Sequence, residues 1–399
     1  MKIAYITNYL GKEFQEKYCK NRSFSISATY KCQGLARAMM LAGHDVSIFS
    51  SGITTCDVKI KSFSETELYP EGKLEIIYPI IYSFRKFAPL NSIMLRNILK
   101  KEHRKNNYDA FVYYNISTDA VLSINIFINK PRVLEYEDNI FNKALVGDKN
   151  NFVWLKRKMY NYLLQRTDAA MVVCTGMLTN NEVSLKVLTP GIINEDVTEN
   201  IDYKHHKLSI GKPVKIFLTG GTHYSKGPDL LIKALKYIKH PCEVHFVGNG
   251  SFDSAANSAI KDVPKIHKVT IDGYIEHPDL IKYLTKEADI LINTTRNMGV
   301  ALNSAGFPFK MMEYAAIGRP IVSSQIGKLD EEFNSYITYY DIEDPEAVAR
   351  AINDVIENYE YKISLSSSLQ KLALNKYSIK GVSETISIFL SELQKDVHK

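Results

Sequence analysis

Short apolar runs recur along the chain, separated by longer stretches in which apolar residues return every third or fourth position. The first pattern marks buried strands and the second marks helices lying against them. Lys2 to Asn8 reads as a strand, a polar loop follows, and a helix is predicted from about Ser27 to Ala42, closed by Gly43 before a strand at Asp45 to Ser50. Together these make a βαβ unit. Strand-like runs at Leu74 to Ile81, Tyr108 to Tyr114, Arg132 to Tyr136 and Ala169 to Cys174 alternate with helical stretches, the pattern of a mostly parallel sheet.

After Pro190-Gly191 the series restarts. Strands are predicted at Val214 to Thr219, Glu243 to Val247, Lys268 to Ile271 and Ile290 to Asn293, with helices at Asp229 to Ile238 and Pro278 to Glu287. A helix from about Phe309 to Ile317, a strand at Pro320 to Ser324 and three helices from Pro345 onward complete the chain. The fold class expected is α/β with two Rossmann-like, doubly wound domains. They divide at about residue 192 into 1–192 and 193–377, with a C-terminal helix at about 378–399 crossing back to the first. A length of 399 residues suits two domains better than one core.

Composition narrows the class. Hydrophobic residues make up 45% and charged residues 24%, as in an ordinary globular protein. No apolar run approaches the roughly 18 residues that a membrane span needs, and a strand pattern begins at once after Met1, so no export signal is expected. The cysteines, Cys19, Cys32, Cys56, Cys174 and Cys242, are scattered without CxxC spacing, which argues against a disulfide framework or a zinc site and for a cytoplasmic setting. The net charge of +6 is uneven: residues 1–200 hold 26 Lys/Arg against 20 Asp/Glu, and the remainder holds 24 of each. An anionic surface or substrate met by the first domain would suit that bias. Neither half shows GxGxxG after its first strand, which disfavours a nicotinamide dehydrogenase, and the small basic excess carries no nucleic-acid motif.

Two segments of the second half carry candidate chemistry. In Phe307-Pro308-Phe309-Lys310-Met311-Met312-Glu313-Tyr314-Ala315-Ala316-Ile317-Gly318-Arg319-Pro320, a Lys and a Glu stand one turn apart at a helix start. The free N–H groups and dipole there attract phosphate, Lys310 adds charge, and Glu313 can accept from ribose hydroxyls. A solvated Lys–Glu pair is the alternative. In Leu218-Thr219-Gly220-Gly221-Thr222-His223-Tyr224-Ser225-Lys226-Gly227-Pro228, two glycines after a strand let backbone N–H groups approach an anion, with Lys226 before the next helix. A plain turn bearing a solvated lysine is the alternative here.

The first segment resembles the Pro-x-Lys-x-x-Glu-Tyr-x-Ala-x-Gly-x-Pro signature of family 4 glycosyltransferases, which have the GT-B fold of two Rossmann-like domains facing a cleft. The second is similar to that family's Gly-Arg-x-x-x-x-Lys-Gly loop, with Lys226 at the Lys and Gly221 where the family has Arg. Many members also carry a Glu eight positions before the second; here Ala305 stands there, with Asn303 and Ser304 beside it. Val247-Gly248-Asn249-Gly250 and Ile271-Asp272-Gly273-Tyr274 resemble the loops that border the nucleotide base, Tyr274 either stacking on it or packing on the sheet.

The resemblance implies a donor of the nucleotide-diphosphate sugar type, UDP- or GDP-linked, with no other cofactor and no metal. The donor site it implies comprises Gly220, Gly221, Thr222, Lys226, Gly250, Gly273, Tyr274, Asn303, Lys310 and Glu313. It also implies transfer to a glycan or lipid-linked acceptor with retention of configuration, in lipopolysaccharide or capsule biosynthesis. The alternative is a degenerate GT-B scaffold, which Gly221 and Ala305 suggest.

In the first half, Leu134-Glu135-Tyr136-Glu137-Asp138-Asn139 follows a strand, and Glu137 or Asp138 is a candidate to orient an acceptor hydroxyl or take its proton, with helix capping by Asp138 the alternative. From Phe84 to Lys105 a basic amphipathic stretch, with Ile93, Met94, Ile98 and Leu99 among seven Lys/Arg, suits either an anionic membrane surface or a solvated helix packed by its apolar side.

Overall fold

A computed structural model describes residues 1–19, 26–52, 59–82, 88–127, 129–137, 153–177, 183, 185–203, 206–209, 211–296, 307–340 and 343–397. It divides the chain into two compact units, Met1–Ile192 with Ile379–Lys399, and Ile193–Ser378.

The first unit is built on strands β1 (Lys2–Thr7), β2 (Asp45–Ser50), β3 (Phe63–Tyr69), β4 (Gly72–Tyr78), β5 (Ala110–Tyr114), β6 (Arg132–Tyr136), β7 (Ala169–Val172) and β8 (Leu185–Leu188). Their order is β3-β4-β2-β1-β5-β6-β7-β8, and every pairing is parallel except β3 with β4. The sequence pattern shows neither β3 nor β8. In β3 the alternation is inverted: Glu65 and Glu67 are buried while Leu68 is 74% exposed. The two carboxylates are buried because they accept from the backbone N–H groups of Glu13 and Lys12, at 2.7 and 2.8 Å, at the start of the helix Lys12–Tyr18. Polar residues on the buried side hide such a strand from a hydrophobicity pattern.

From residue 88 onward the basic stretch forms the helix Ala88–Asn106, whose buried positions Ser92, Leu95 and Leu99 pack toward β2 and the helix Thr118–Ser123; Arg85 and Lys86 lie outside the described residues. Of its other apolar residues Ile93 is exposed, and Met94 and Ile98 are half-buried. The helix Ile379–Val397 closes this unit by packing on the helix Ile26–Leu41 and on β8.

The second unit carries β9 (Val214–Thr219), β10 (Cys242–Val247), β11 (Lys268–Gly273), β12 (Ile290–Asn293), β13 (Ile321–Ser324) and β14 (Thr338–Tyr340) in the order β11-β10-β9-β12-β13-β14, all parallel. Successive side chains of a strand point to opposite faces, so this sheet feeds two cores. Ile216, Leu218, Val244 and Phe246 join the helices Pro228–Ala234 and Pro345–Glu357 on one side. Phe217, Val247 and Leu291 join the helices His277–Glu287, Lys310–Ile317 and Tyr359–Tyr377 on the other. The order reverses at β9, whose neighbours β10 and β12 lead away in opposite directions, and the carboxyl ends beside such a reversal are where open α/β sheets take ligands. Both units are thus Rossmann-like parallel-sheet folds.

Candidate functional site

In register, Thr219 lies beside Val247 and Val247 beside Gly273, so β9, β10 and β11 end level with one another. Their exits meet backbone to backbone: Gly220 N–H donates to Val247 O at 2.9 Å and Gly248 N–H to Gly273 O at 2.8 Å. The approach requires glycine, because a Cβ at Gly248, which has φ +151°, would stand 2.0 Å from Gly220 O. Thr222 is buried beside them, and its hydroxyl has no partner among the described residues. Gly250 faces that hydroxyl, since a Cβ built on it would come within 3.0 Å of Thr222 Oγ1. Tyr274 is exposed and donates its hydroxyl to Glu276 at 3.1 Å.

The loop from Gly220 to Gly227 is clasped by the exit of β12. Thr294 donates to Lys226 O at 2.7 Å, and Arg296 donates from its backbone to Ser225 O at 2.9 Å and from its guanidinium to Tyr224 O at 3.2 Å. The same guanidinium holds both oxygens of Asp229 at 2.8 and 2.9 Å and covers the Tyr224 ring at 4.2 Å. Burial alone would raise the Asp229 carboxyl, but hydrogen bonds from Arg296 and Lys233 take it below its usual range. Gly227, at φ +66°, lets the loop close, since a Cβ there would strike Thr294 O at 2.3 Å. At Gly221 a side chain would meet the His223 ring at 3.2 Å; that ring is tied through Nδ1 to Ser225 Oγ at 2.7 Å.

The helix Lys310–Ile317 explains its own sequence. Lys310 and Tyr314 are one helical turn apart and share a face, and both reach Thr219 at the end of β9. Lys310 Nζ donates to Thr219 O at 3.3 Å, while the Tyr314 hydroxyl accepts from Thr219 N–H at 2.9 Å. Desolvation of the Lys310 ammonium, then the charge of Lys226, pulls its pKa down from 10.5 to about 7 against the opposing pull of Glu313. A half-buried positive charge beside a second one is stored affinity for an anion.

Glu313 turns to a different neighbour. Its Oε1 lies 2.8 Å from His277 Nε2, and His277 Nδ1 lies 2.5 Å from Asp196 Oδ2. Burial works against a charge on His277, but the bonds to Asp196 and Glu313 overcome it and raise its pKa to about 10. Sequence reasoning missed His277 and Asp196, whose only local signal is a helix start at Glu276-His277-Pro278.

Of the residues singled out from sequence, the structure gathers Gly220, Gly221, Thr222, Lys226, Gly250, Gly273, Lys310 and Glu313 at the carboxyl ends of this one sheet and the helix beside it, with Tyr274 exposed at the exit of β11. Asn303, Ser304 and Ala305 lie outside the described residues, as does Asp138 in the first unit. Glu137 is described: its carboxylate pairs with Lys31 Nζ at 2.6 Å and accepts from the Tyr114 hydroxyl at 2.6 Å. Lys31 is buried and also lies 3.5 Å from Glu135, which accepts from Tyr5 and whose carboxyl is raised by burial despite that lysine. Lys31 and Glu135 were not singled out from sequence; the available signal was a lysine in line with the buried Leu35 and Ala38 of its own helix. Among the described residues no group of three or more His, Cys, Asp or Glu is placed to hold a metal ion, and no helix is long and apolar enough to cross a membrane.

Comparison with known proteins bears on the same unit. Residues 200–371 match the sequence profile of the family described as Glycosyl transferases group 1. Searched by sequence against curated proteins, the chain finds no match. Among solved structures, it is similar to sucrose-phosphate synthase from Thermosynechococcus elongatus, with TM-score 0.71 at 15% identity over 99% of this chain and 100% of that one. It is also similar to the Anabaena protein HepE in complex with UDP, with TM-score 0.64 at 12% identity over 98% and 100%. A lipopolysaccharide outer core galactosyltransferase aligns with TM-score 0.57 at 12% identity over 98% and 99%. At such identities these likenesses establish the architecture, two Rossmann-like domains of the GT-B type. The profile match adds the chemistry: residues 200–371 match a group 1 glycosyl transferase domain, and the chain is a glycosyltransferase.

Proposed function

We propose that the second unit binds a nucleoside-diphosphate sugar and that the enzyme transfers its sugar, with retention of configuration, to a glycan or lipid-linked acceptor met by the first unit. The observation that carries this reading is the half-buried Lys310 ammonium, 3.3 Å from Thr219 O at the end of β9, where partial desolvation and the charge of Lys226 lower its pKa. It lies at a helix start next to the glycine-lined exits of β9 and β10. The diphosphate would lie against Lys310, Lys226, the backbone N–H groups of Gly220 to Thr222 and the unpartnered Thr222 hydroxyl, with Glu313 accepting from the ribose. Gly250, Gly273 and Tyr274 would border the base; Asn303, outside the described residues, is kept as a donor-site residue on the resemblance alone.

During transfer, negative charge grows on the leaving diphosphate. Lys226 and Lys310 would neutralise it in place, supplying the positive charge that a divalent metal supplies elsewhere. No protein nucleophile is assigned. The acceptor proton would pass to the departing phosphate oxygen, and Glu137 or Asp138 would be the group that orients the acceptor hydroxyl. A UDP- or GDP-linked donor and a role in lipopolysaccharide or capsule assembly at the cytoplasmic side of a membrane complete the proposal. The first unit's basic excess favours an anionic, lipid-linked acceptor and a peripheral membrane position.

Calorimetry against UDP, GDP, CMP, ADP and dTDP, with NAD as control, tests the donor reading. One nucleotide should bind, and Lys310→Ala should weaken it by roughly 1–3 kcal/mol, the worth of a charge-assisted contact. Silence toward the whole panel would refute donor binding. Binding without turnover on any sugar conjugate would leave a nucleotide-binding scaffold, the reading suggested by Gly221 at the place of an arginine.

A further inference from the structure

We propose that His277 is a positioning residue for donor recognition, a cationic clasp that holds Glu313 by one oxygen so that the other meets the ribose diol of a nucleoside diphosphate. This rests on the donor reading above and deepens it. Three separate elements converge on the clasp. Asp196 comes from the short helix Glu195–Thr198, His277 is the first residue of the helix His277–Glu287, and Glu313 lies in the first turn of the helix Lys310–Ile317.

The imidazole faces a carboxylate oxygen at each nitrogen, 2.5 Å to Asp196 and 2.8 Å to Glu313. Carboxylates only accept, so both ring nitrogens must donate and the ring is an imidazolium. All three side chains are largely shielded, with His277 and Glu313 each 11% exposed and Asp196 22%. A single cation between two carboxylates leaves the group one negative charge in excess, and among the described residues Glu313 Oε2 accepts no hydrogen bond. The rotation of its helix is already set by Lys310 and Tyr314 on Thr219, so what remains for the clasp to fix is the plane of the Glu313 carboxylate.

A carboxylate held this way discriminates hydroxyls, because a fixed acceptor that finds no donor on a deoxy ribose loses its bond outright, whereas a mobile one turns to water. The Asp196 carboxylate anchors the far side of the ring, so its loss should loosen the same orientation through His277.

The test uses the full-length protein and calorimetry with UDP, GDP or ADP, then the 2′-deoxy and 3′-deoxy forms of the one that binds. Wild type should prefer the ribonucleotide over one deoxy form by about tenfold, and His277→Ala should shrink that preference to about twofold. Added to Glu313→Ala, it should change the preference no further. Asp196→Asn, which keeps both the imidazole and Glu313, should give an intermediate preference and guards against a His277→Ala protein that does not fold. Loss of Lys310-dependent affinity in these variants would indicate general collapse of the site and overturn the assignment. So would folded His277→Ala and Asp196→Asn proteins that keep the full ribose preference while Glu313→Ala loses it, which would leave the donor reading standing. A wild type that binds no nucleotide overturns both.

Discussion

Raising the pH through the range where Lys310 loses its proton should release the nucleoside diphosphate. In the unliganded protein desolvation and the Lys226 charge hold the Lys310 pKa at about 7, against 10.5 for an ordinary lysine. A diphosphate lying between the two lysines replaces that repulsion with attraction, so the bound state keeps Lys310 charged. Binding above pH 7 must therefore take up a proton, and each unit of pH costs about 1.4 kcal/mol of affinity. From pH 7 to pH 9 the loss amounts to about 2.7 kcal/mol, on the order of a hundredfold in Kd. Below pH 7 the contribution of this group levels off.

Calorimetry with UDP or GDP between pH 6.5 and 9, in two buffers of different ionisation enthalpy, reads both the affinity and the proton. Wild type should take up about one proton at pH 8.5, and Lys310→Met should take up none, bind weakly throughout and show a flat profile. The same shift has a folding counterpart of known sign. Between pH 7 and 10.5 the unfolded chain holds a proton that the folded, unliganded protein has shed, so this lysine makes the free protein more stable as pH rises through that window. Affinity that does not change between pH 7 and 9, or a pH profile that persists in Lys310→Met, would refute the reasoning.

Tyr314→Phe leaves the buried Thr219 N–H without the acceptor it has at 2.9 Å, so denaturant unfolding should show a loss of about 1–3 kcal/mol. Gly248→Ala drives a Cβ to 2.0 Å from Gly220 O and should cost more than about 3 kcal/mol, whereas Gly211→Ala, also at positive φ but with nothing within 4 Å, should cost only about 1. His277, with its pKa raised to about 10, stabilises the fold fully below pH 6.5 and loses that contribution as pH rises through 10. His277→Gln should therefore unfold more easily than wild type at pH 7, by roughly 3 kcal/mol in urea, with the gap closing toward pH 10.5.

What could be read from sequence follows the range over which each cause acts. The Lys310-Glu313-Tyr314 spacing is legible because helical period alone decides which residues share a face, and the glycines at 220 and 227, both at positive φ, are legible because a backbone conformation, a local property, calls for them. Predicted strands such as β6, β9 and β12 match within a residue or two because their apolar runs are buried on both sides. β3 was hidden for the opposite reason, its inward positions being acids whose partners are N–H groups some fifty residues earlier. His277 was hidden likewise, since its two carboxylates stand 36 and 81 positions away.

The same division runs through the site itself. The groups proposed to meet phosphate are set by a loop and a helix start, each short enough to appear as a motif. The groups that orient them, Arg296 on the loop and His277 on Glu313, come from strands and helices that only the sheet order brings near. A chain could keep the motif and lose these second contacts, and it would then bind a diphosphate without reading the ribose attached to it. Lys310→Met and His277→Ala therefore probe separable properties, charge in the first case and orientation in the second, and only the first was visible as a pattern of letters.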